Sequence, residues 1–491
     1  MLIWLILVPV IAAACIGLLK TPGRLTALIS AAITLILGTY AVLAPECCNE
    51  CLTTICGTEL QFTLALPLSR IMVLLSILVT FAAVVGMKAP HADAERSWSI
   101  SALLISAGAI GAFMSNNIIA FYGFHELALI PTFIMIGCYG RGDRRNIAWT
   151  ATIYLGLASM VLLAGLLILC IEMNAWSFTA LNAAVQAGTM PTSTCLIAGL
   201  LLVGFGTLVS LFPFHTWAAP AYASAPTPIA MLHAGVLKKF GLYGLFTLAM
   251  AFGPKCDDLF GCWNNWLLVL LLGNVLWVGY VTISQTRLDD MLGNSSVMHM
   301  GYIFLAFAAY IAADGNNELA KEGAALLMLA HGLTIALLFL LTGQIESQTR
   351  TLELDCMGGL GSKLPALGFL FGLAGMASVG LPLLANFAGE FSIFVSCFAH
   401  WVPTPATDGS WLSTICNFFG GMGTVQLATI GALWGLVISA IYMLRAFRNI
   451  FEGPVGAASA RATKLTALDI TAACFLAVFI VVFGIIPPVC L

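Results

Sequence analysis

The chain has 491 residues, of which 60% are hydrophobic and only 8% are charged, and its formal net charge is −3. Soluble domains carry roughly 25% charged residues, so this composition excludes a water-soluble enzyme, and the nearly balanced charge gives no sign of a nucleic-acid partner. The expected environment is a lipid bilayer, because a helical span needs about 20 apolar residues and such runs occur along the whole chain.

In chain order, the apolar runs predict fourteen transmembrane helices in an all-α integral membrane protein. The first run lacks a basic leading segment and a clear Ala-x-Ala site, so it is interpreted as a span and not as a cleaved signal peptide. The run 365–397 is too long for one straight span and has Pro382 at its middle, which predicts a break. The predicted spans are 1–19, 25–44, 71–88, 97–115, 117–138, 148–171, 195–212, 227–252, 265–284, 295–313, 323–343, 365–397, 424–447 and 466–488.

The basic residues between these spans predict the orientation. The side shared by the odd-numbered loops carries most of the 19 Lys and Arg residues, namely Lys20, Arg24, Lys88, Arg96, Arg141, Arg144, Arg145, Arg287, Arg350, Lys363, Arg445, Arg448, Arg461 and Lys464. The opposite side carries only Arg70, Lys255 and Lys321. Because basic residues stay cytoplasmic, both termini are expected on the periplasmic side of a bacterial inner membrane.

Most cysteines outside the predicted spans fall on the outer side, where disulfides persist. This outward group is Cys47, Cys48, Cys51, Cys56, Cys195, Cys256, Cys262, Cys416 and Cys490. The preferred predicted pair is Cys256–Cys262, whereas the connectivity of the group at 47–56 is left open. A metal site in that group is a less favoured alternative.

Three charged residues fall inside predicted spans: Glu126 in the fifth, Lys239 in the eighth and Glu390 after the break in the twelfth. A charge at the bilayer centre costs about 3 kcal/mol or more, so such residues usually face a polar interior and have a function. A buried acid or amine can change its charge without extreme pH, as a proton relay requires. The alternative is that these charges form structural ion pairs between helices.

Histidines and a second lysine accompany these charges. His299 opens the tenth span, and His331 lies deep in the eleventh. Histidine titrates near neutral pH and can pass a proton through its two nitrogens, although a histidine in a helix is as often a packing residue. On a regular helix Lys238 would point about 100° away from Lys239, so one of the two is expected to reach the membrane surface or to line another cavity.

Gly and Pro residues interrupt the seventh span at Gly204–Pro213 and the twelfth at Val379–Asn386. A matched pair of interrupted segments five spans apart predicts inverted repeats, here spans 4–8 and 9–13, with a transport path at the breaks. The alternative is that Gly and Pro are simply common in membrane helices. The predicted units are an N-terminal three-helix segment 1–96, the repeat halves 97–252 and 265–448, and a C-terminal segment 449–491.

Several motifs occur in order between residues 100 and 450: Phe124-His125-Glu126, Ile130-Pro131, Pro213-Phe-His-Thr-Trp217, Ala225-Pro-Thr227, Ala234-Gly-Val-Leu-Lys-Lys239, Ser295-Ser-Val-Met-His-Met-Gly301, Ala330-His-Gly332 and Asn386-Phe-Ala-Gly-Glu390. Together they resemble the antiporter-like subunit M of respiratory complex I, the chain-4-type subunit of NADH–quinone oxidoreductase. The glutamate at 390 is similar to subunit M, since the sister subunits L and N tend to carry lysine near this break.

The resemblance implies fourteen helices, broken helices seven and twelve, and proton pumping driven by quinone reduction elsewhere in the complex. It implies no cofactor or metal in this chain, with quinone, flavin and iron–sulfur clusters in partner subunits, and it implies L- and N-type subunits as membrane partners. The implied site residues are Glu126 in the fifth helix, Lys239 as relay lysine, His331 as connecting histidine and Glu390 on the exit side, with His299 and Lys238 as further candidates.

The chain departs from this family at two places. The family usually has a lysine in the broken seventh helix, where this chain has Leu208, and a Leu-Lys-Arg-Leu-Ile-Ala-Tyr run where this chain has Leu288–Asn294. The first departure removes the usual partner of Glu126, so we hypothesise weakened proton uptake, and a lysine at Leu208 should raise pumping per electron. For this position, the alternatives are that Lys238 or Lys239 partly substitutes for the missing lysine, or that the chain is a divergent copy with altered coupling. The alternatives are a subunit of a cation/proton antiporter or membrane-bound hydrogenase, and a non-pumping structural subunit.

Overall fold

The computed structural model describes residues 1–44, 49–55, 58–399 and 421–488, and within them the chain is mainly α-helical. The helices of the first half are α1 (Leu2–Leu18), α2 (Gly23–Leu43), α3 (Pro67–Val85), α4 (Ala92–Met114), α5 (Ile118–Tyr139), α6 (Arg144–Met173), α7 (Phe178–Gln186), α8 (Thr194–Val209), α9 (Ala218–Ser224), α10 (Thr227–Gly235) and α11 (Phe240–Phe252). A short antiparallel hairpin, β1 (Asn49–Ile55) and β2 (Thr58–Thr63), follows α2.

The second half continues with α12 (Cys256–Leu272), a π-helical segment at Gly273–Val278 and α13 (Gly279–Ser284). The remaining helices are α14 (Leu288–Ile311), α15 (Glu318–Thr349), α16 (Leu360–Lys363), α17 (Pro365–Val379), α18 (Ala385–Ala399), α19 (Thr424–Phe451) and α20 (Ala467–Ile485).

Many of these helices have the length and the apolar composition of membrane spans. Within the described ranges, nine helical stretches are long and apolar enough to cross a bilayer: Gly23–Leu43, Pro67–Val85, Ala92–Met114, Ile118–Tyr139, Arg144–Met173, Thr227–Ser284, Glu318–Thr349, Thr424–Phe451 and Ala467–Ile485. The outward faces are also apolar, since Trp434 and Ile441 of α19 are exposed while Tyr442 is fully buried. These features confirm a mainly helical membrane protein, and the hairpin of β1 and β2 corrects the expectation of an all-α chain.

Helices α14 and α15 form the centre of the molecule, because nearly every side chain of both is buried. Helix α15 packs against α18, α14, α10, α3, α20 and α17. Packing is especially close at Gly235 and Gly332, where a Cβ on Gly332 would lie 2.7 Å from the Gly235 carbonyl oxygen. The absence of side chains at these two positions therefore lets α10 lie directly against α15.

Three interruptions lie at the depth of this core. Helix α8 ends at Val209, where Ser210 adopts φ +70°, and the chain resumes as α9 at Ala218. Helix α17 ends before Gly380, at φ +83°, and the chain resumes as α18. The third interruption was not predicted: a 3₁₀ turn at Leu237–Lys239 separates α10 from α11.

The predicted disulfide Cys256–Cys262 is wrong. Both residues are free thiols on α12, Cys256 buried and Cys262 exposed. Six positions on a helix correspond to about 9 Å of rise and a turn of 240°, so the two sulfurs point to different sides. Of the other outward cysteines, Cys47, Cys48, Cys56, Cys416 and Cys490 lie outside the described residues.

Candidate functional site

Glu126 lies on α5, beside the hydroxyl groups of α6. The Asn117 side chain caps α5 by accepting hydrogen bonds from the amides of Ile119 and Ala120 at 3.0 and 2.9 Å. Glu126 accepts a hydrogen bond from the Ser159 hydroxyl and lies 3.5 Å from Nδ1 of His125. Its side chain is 34% exposed, so it sits at the edge of the subunit and not in its core.

An aromatic group separates this edge from the centre. The His125 ring stacks on Phe240 with 3.7 Å between ring centroids, and the Phe121 ring also stacks on Phe240, at 4.2 Å. Phe240 directly follows the two lysines in the chain. In this conformation, the hydrogen-bonded groups around Glu126 do not connect directly to the lysines.

Both lysines are buried because the helix breaks where they occur. Lys238 is 1% exposed and Lys239 is fully buried, so neither reaches the membrane surface, which was the first of the two expected alternatives. The expectation assumed a regular helix, whereas the 3₁₀ turn at Leu237–Lys239 changes the angle between the side chains. Lys239 Nζ donates to the Ala234 carbonyl at 2.6 Å, while Lys238 Nζ donates to the Ser296 hydroxyl at 3.4 Å.

Lys238 also reaches α9, the helix that follows the interruption after α8. Its Nζ lies 5.3 Å from the centre of the Tyr222 ring on α9, within the range of a cation–π interaction. The Tyr222 ring in turn packs edge-on against His233 at 5.1 Å. The lysine therefore contacts the second half of the interrupted helix on one side and α14 on the other.

Polar side chains continue from Lys238 through the core. The Ser296 hydroxyl lies 3.2 Å from Nε2 of His331, whose ring stacks on His299 with 5.2 Å between centroids. His299 Nε2 lies 2.9 Å from the carbonyl oxygen of Ser378, next to the break that follows α17. All these side chains are buried, so Lys238, Ser296, His331 and His299 form a continuous polar row, called here the central row.

Two backbone carbonyl oxygens face the two ring nitrogens of His299. Its Nδ1 lies 2.8 Å from the Ser295 carbonyl oxygen, and its Nε2 faces the Ser378 carbonyl oxygen. Both oxygens are acceptors, and a neutral imidazole has only one N–H. A neutral His299 can therefore donate to only one of the two oxygens, and its tautomer decides which.

Glu390 lies beyond the central row, on α18. Its side chain is 3% exposed, and its Oε1 has no hydrogen-bond partner among the described residues. A Cβ on Gly380 would collide with Oε2, so the carboxyl packs against the backbone of the break itself. An ionised carboxylate without a partner is costly in an apolar interior; Glu390 must therefore hold a proton or be reached by water.

Asn274 supports the interruption between α8 and α9, and the sequence analysis missed it. Its Oδ1 accepts from the Phe212 amide at 2.6 Å, and its Nδ2 donates to the carbonyls of Ser210 and Val297 at 3.0 Å each. Unwound backbone at membrane depth needs such partners. The available signal was a single amide within the apolar run around the π-helical segment.

Ion pairs elsewhere in the molecule do not include the central charges. Arg141 pairs with Glu346 at 2.6 Å, and Lys88 pairs with Asp469 at 2.6 Å. These pairs lie at helix ends, where they connect α15 and α20 to their neighbours. Among the ion pairs of the described residues, none contains Lys238, Lys239 or Glu390, which argues against a purely structural role for these charges.

The part of the chain that contains the interruptions and the central row matches a known family. The family model described as "NADH:quinone oxidoreductase/Mrp antiporter, TM" covers residues 115–415. The chain belongs to this family. No group of three or more potential metal-ligating residues occurs in the described portion of this antiporter-family chain.

Individual relatives agree with this membership and confirm the resemblance to chain-4-type subunits. The chain is 32% identical over 352 residues to "NAD(P)H-quinone oxidoreductase chain 4 2" of Microcystis aeruginosa, which covers 72% of this chain and 59% of the relative. The match thus spans less than two thirds of the length of that cyanobacterial protein.

Two solved structures share the fold of this antiporter-family chain. A chain of respiratory complex I from Thermus thermophilus has a TM-score of 0.84 at 22% identity and covers 99% of this chain and 96% of its own length. The Mrp complex from Dietzia sp. contains a chain with a TM-score of 0.80 at 17% identity, with coverages of 99% and 94%.

Proposed function

We propose that this chain is a proton-translocating, antiporter-like membrane subunit of an NADH–quinone oxidoreductase, in which quinone reduction in partner subunits drives proton movement. The observation that carries the proposal is the central row, which connects a buried lysine to the break beside Glu390 without involving any of these charges in an ion pair. A buried row of groups that can gain and lose protons is what a relay needs.

The residues act in the order in which the structure arranges them. Glu126 takes up or releases a proton at the subunit edge, and Lys239 and Lys238 hold the central proton. Ser296 and His299 of α14 and His331 of α15 pass the proton along the central row, and Glu390 on α18 receives and releases it beyond that row. Transfer past Phe240 requires movement of its ring or entry of water, so this ring controls the first stage.

Lys238 provides a substitute for the lysine that the family usually carries in the broken seventh helix. Position 208 holds a buried leucine, but the Lys238 amine lies against Tyr222 in the second half of that helix. A positive charge at this place is what the missing lysine would supply. We therefore propose that Lys238 compensates for Leu208, which replaces the expectation of a plain loss of proton uptake.

The proposed architecture has fourteen spans, in which α8–α9 and α17–α18 are the broken helices seven and twelve of two inverted repeats. An N-terminal segment at 1–96 and a last helix with its preceding loop at 449–491 flank the repeat halves. The distribution of basic residues supports a topology with both termini on the periplasmic side of a bacterial inner membrane. Quinone, flavin and iron–sulfur clusters would lie in partner subunits.

The partners are proposed to be the other antiporter-like membrane subunits of the complex, of the L and N types. A partly exposed carboxylate facing lipid tails is unfavourable, and Glu126 is partly exposed in the isolated chain. Contact with a partner subunit or a shared water-filled cavity removes this difficulty. A cation/proton antiporter shares the fold, and the subunits that co-purify with the chain would distinguish it from an oxidoreductase.

The test replaces Glu390 by Gln in the assembled complex and measures protons pumped per electron together with quinone reduction. We expect pumping to fall while quinone reduction persists, because the amide keeps the shape but carries no transferable proton. The matched control is Glu318→Gln, which removes a carboxylate from a surface ion pair with Lys321. Full pumping by the Glu390→Gln complex would contradict the proposal.

A further inference from the structure

Two cysteines that the proposed relay does not use meet where the first turn of α8 packs against the second turn of α12. Cys195 is the second residue of α8, and Cys262 is the seventh residue of α12. Both are exposed free thiols, and the side chain of Cys262 interacts directly with that of Cys195. They are separated by 66 intervening residues, so their contact depends on the tertiary fold.

Trp263, next to Cys262, packs α12 against the first turns of α8. The indole Nε1 of Trp263 donates to the carbonyl oxygen of Cys195 at 2.8 Å. One turn further along α8, a Cβ on Gly199 would lie 3.0–3.2 Å from the Trp263 ring, so the glycine gives the ring room to lie against the helix. The thiols are therefore brought together by a packed contact between α8 and α12.

The pair lies at the aqueous edge of the helices. Asp257, Asp258, Asn264 and Asn265 surround Cys262 in the sequence, and a polar cluster of this kind belongs outside the hydrocarbon layer. Trp263 suits the membrane–water interface, where tryptophan is enriched. In the orientation proposed above, this edge faces the periplasm, which is an oxidising compartment.

We propose that Cys195 and Cys262 form a disulfide that joins α8 to α12. The step is exchange with a protein disulfide oxidant of the outer compartment. Both thiols lose their protons, a bond forms between the two sulfurs, and the two electrons reduce the oxidant disulfide to two thiols. The proposal rests on the orientation given under the proposed function, because the same thiols would stay reduced in the cytoplasm.

This bond would act on the interrupted seventh helix. Helix α8 leads to the break at Ser210, and α12 is the first helix of the second repeat half. A covalent link at the outer end of α8 fixes that end relative to α12. Any rearrangement around the break would then be confined to the segment after Val209, close to Trp217 and Tyr222.

The experiment labels thiols in intact cells that express the full chain. Cells are treated with N-ethylmaleimide, the membranes are denatured and reduced, and newly released thiols receive an isotopically heavy maleimide before mass spectrometry. We expect Cys195 and Cys262 to carry mainly the heavy label and an unreduced digest to contain the linked peptide. Cys138, an exposed thiol at the other end of the helices, is the control and should carry the light label.

Single variants test whether Cys195 and Cys262 are bonded to each other. In Cys195→Ser, Cys262 should change from heavy to light label, and in Cys262→Ser the same change should occur at Cys195. Light label on both cysteines of the wild-type chain would overturn the proposal. Because labelling requires no turnover, this result is independent of whether the Glu390→Gln complex pumps protons.

Discussion

At the scale of single residues, the position of a charge matters more than the helix that carries it. Leu208 lies on α8 and Lys238 between α10 and α11, yet the Lys238 amine lies beside Tyr222 of α9, the helix that follows α8. The Lys239 amine instead binds a carbonyl of the preceding turn, at Ala234. The two adjacent lysines are therefore expected to have different roles.

The first prediction concerns the substitution of Lys238 by Leu. We expect it to lower the rate of proton pumping about tenfold or more, because a positioned proton-transfer group contributes roughly 10²- to 10⁴-fold. The double variant Lys238→Leu/Leu208→Lys should regain part of that rate by returning the amine to the broken helix. Pumping is measured in proteoliposomes containing the assembled complex.

The control for this prediction is Lys255→Leu, which removes a lysine from the short turn between α11 and α12 and should pump normally. An unchanged rate for Lys238→Leu would show that Lys239 alone carries the central proton. If the double variant pumps no faster than the single variant, Lys238 does not take the role of the missing lysine.

The second prediction concerns the Phe240 ring, which stacks on His125 at 3.7 Å between the subunit edge and the lysines. Phe240→Ala removes this barrier and leaves space that water can enter. We expect a faster passive proton leak through the complex when quinone reduction is inhibited, measured as the decay of an imposed pH gradient. Phe246→Ala, one and a half turns further along α11, is the matched control, and equal leak rates in the two variants would contradict a gating role.

At the scale of elements, the helix interruptions depend on side chains that replace lost backbone hydrogen bonds. Asn274 makes two such bonds, to Phe212 and Ser210, and a third to Val297 of α14. The bonds to Ser210 and Val297 are buried, so water could not replace the amide there if it were removed.

The third prediction is that Asn274→Leu destabilises the chain by about 3 kcal/mol or more, since each buried polar group left without a partner costs about 1–3 kcal/mol. The measurement is the thermal unfolding midpoint of the purified complex. Asn265→Leu is the control, because Asn265 is exposed and accepts a hydrogen bond from the Thr424 hydroxyl at the surface. Equal midpoints for both variants would show that the interruption does not depend on Asn274.

The sequence predicted two of the three interruptions, and the reason lies in their residue types. Pro213 and Pro382 cannot continue a helical hydrogen-bond ladder, so both breaks could be located from local chemistry. The turn at Leu237–Lys239 contains neither Gly nor Pro, and it depends on the packing of α10 against α15. The partnership of Lys238 with Ser296 likewise joins positions 58 residues apart, which no local pattern reveals.

At the scale of the whole molecule, the topology decides which aqueous side each group can reach. The ends of α5 and α19 carry Arg141, Arg445 and Arg448, whereas the contact between Cys195 and Trp263 joins the first turn of α8 to a point about two turns into α12. If each long or interrupted helix crosses the bilayer once, these two sets face opposite sides. The basic set should then be cytoplasmic.

The fourth prediction tests this topology with two reporters fused to truncated chains. A phosphatase that needs disulfides is active only outside the cytoplasm, while a fluorescent protein that folds only in the cytoplasm reports the opposite side. Fusions after Gly142 and Gly453 should fluoresce, and fusions after Gly188 and at the C-terminus should show phosphatase activity.

Matching signals after Gly142 and Gly453 require an even number of spans between them. Opposite signals at these two sites would refute the fourteen-span arrangement, and with it the pairing of α8–α9 with α17–α18 as equivalent broken helices.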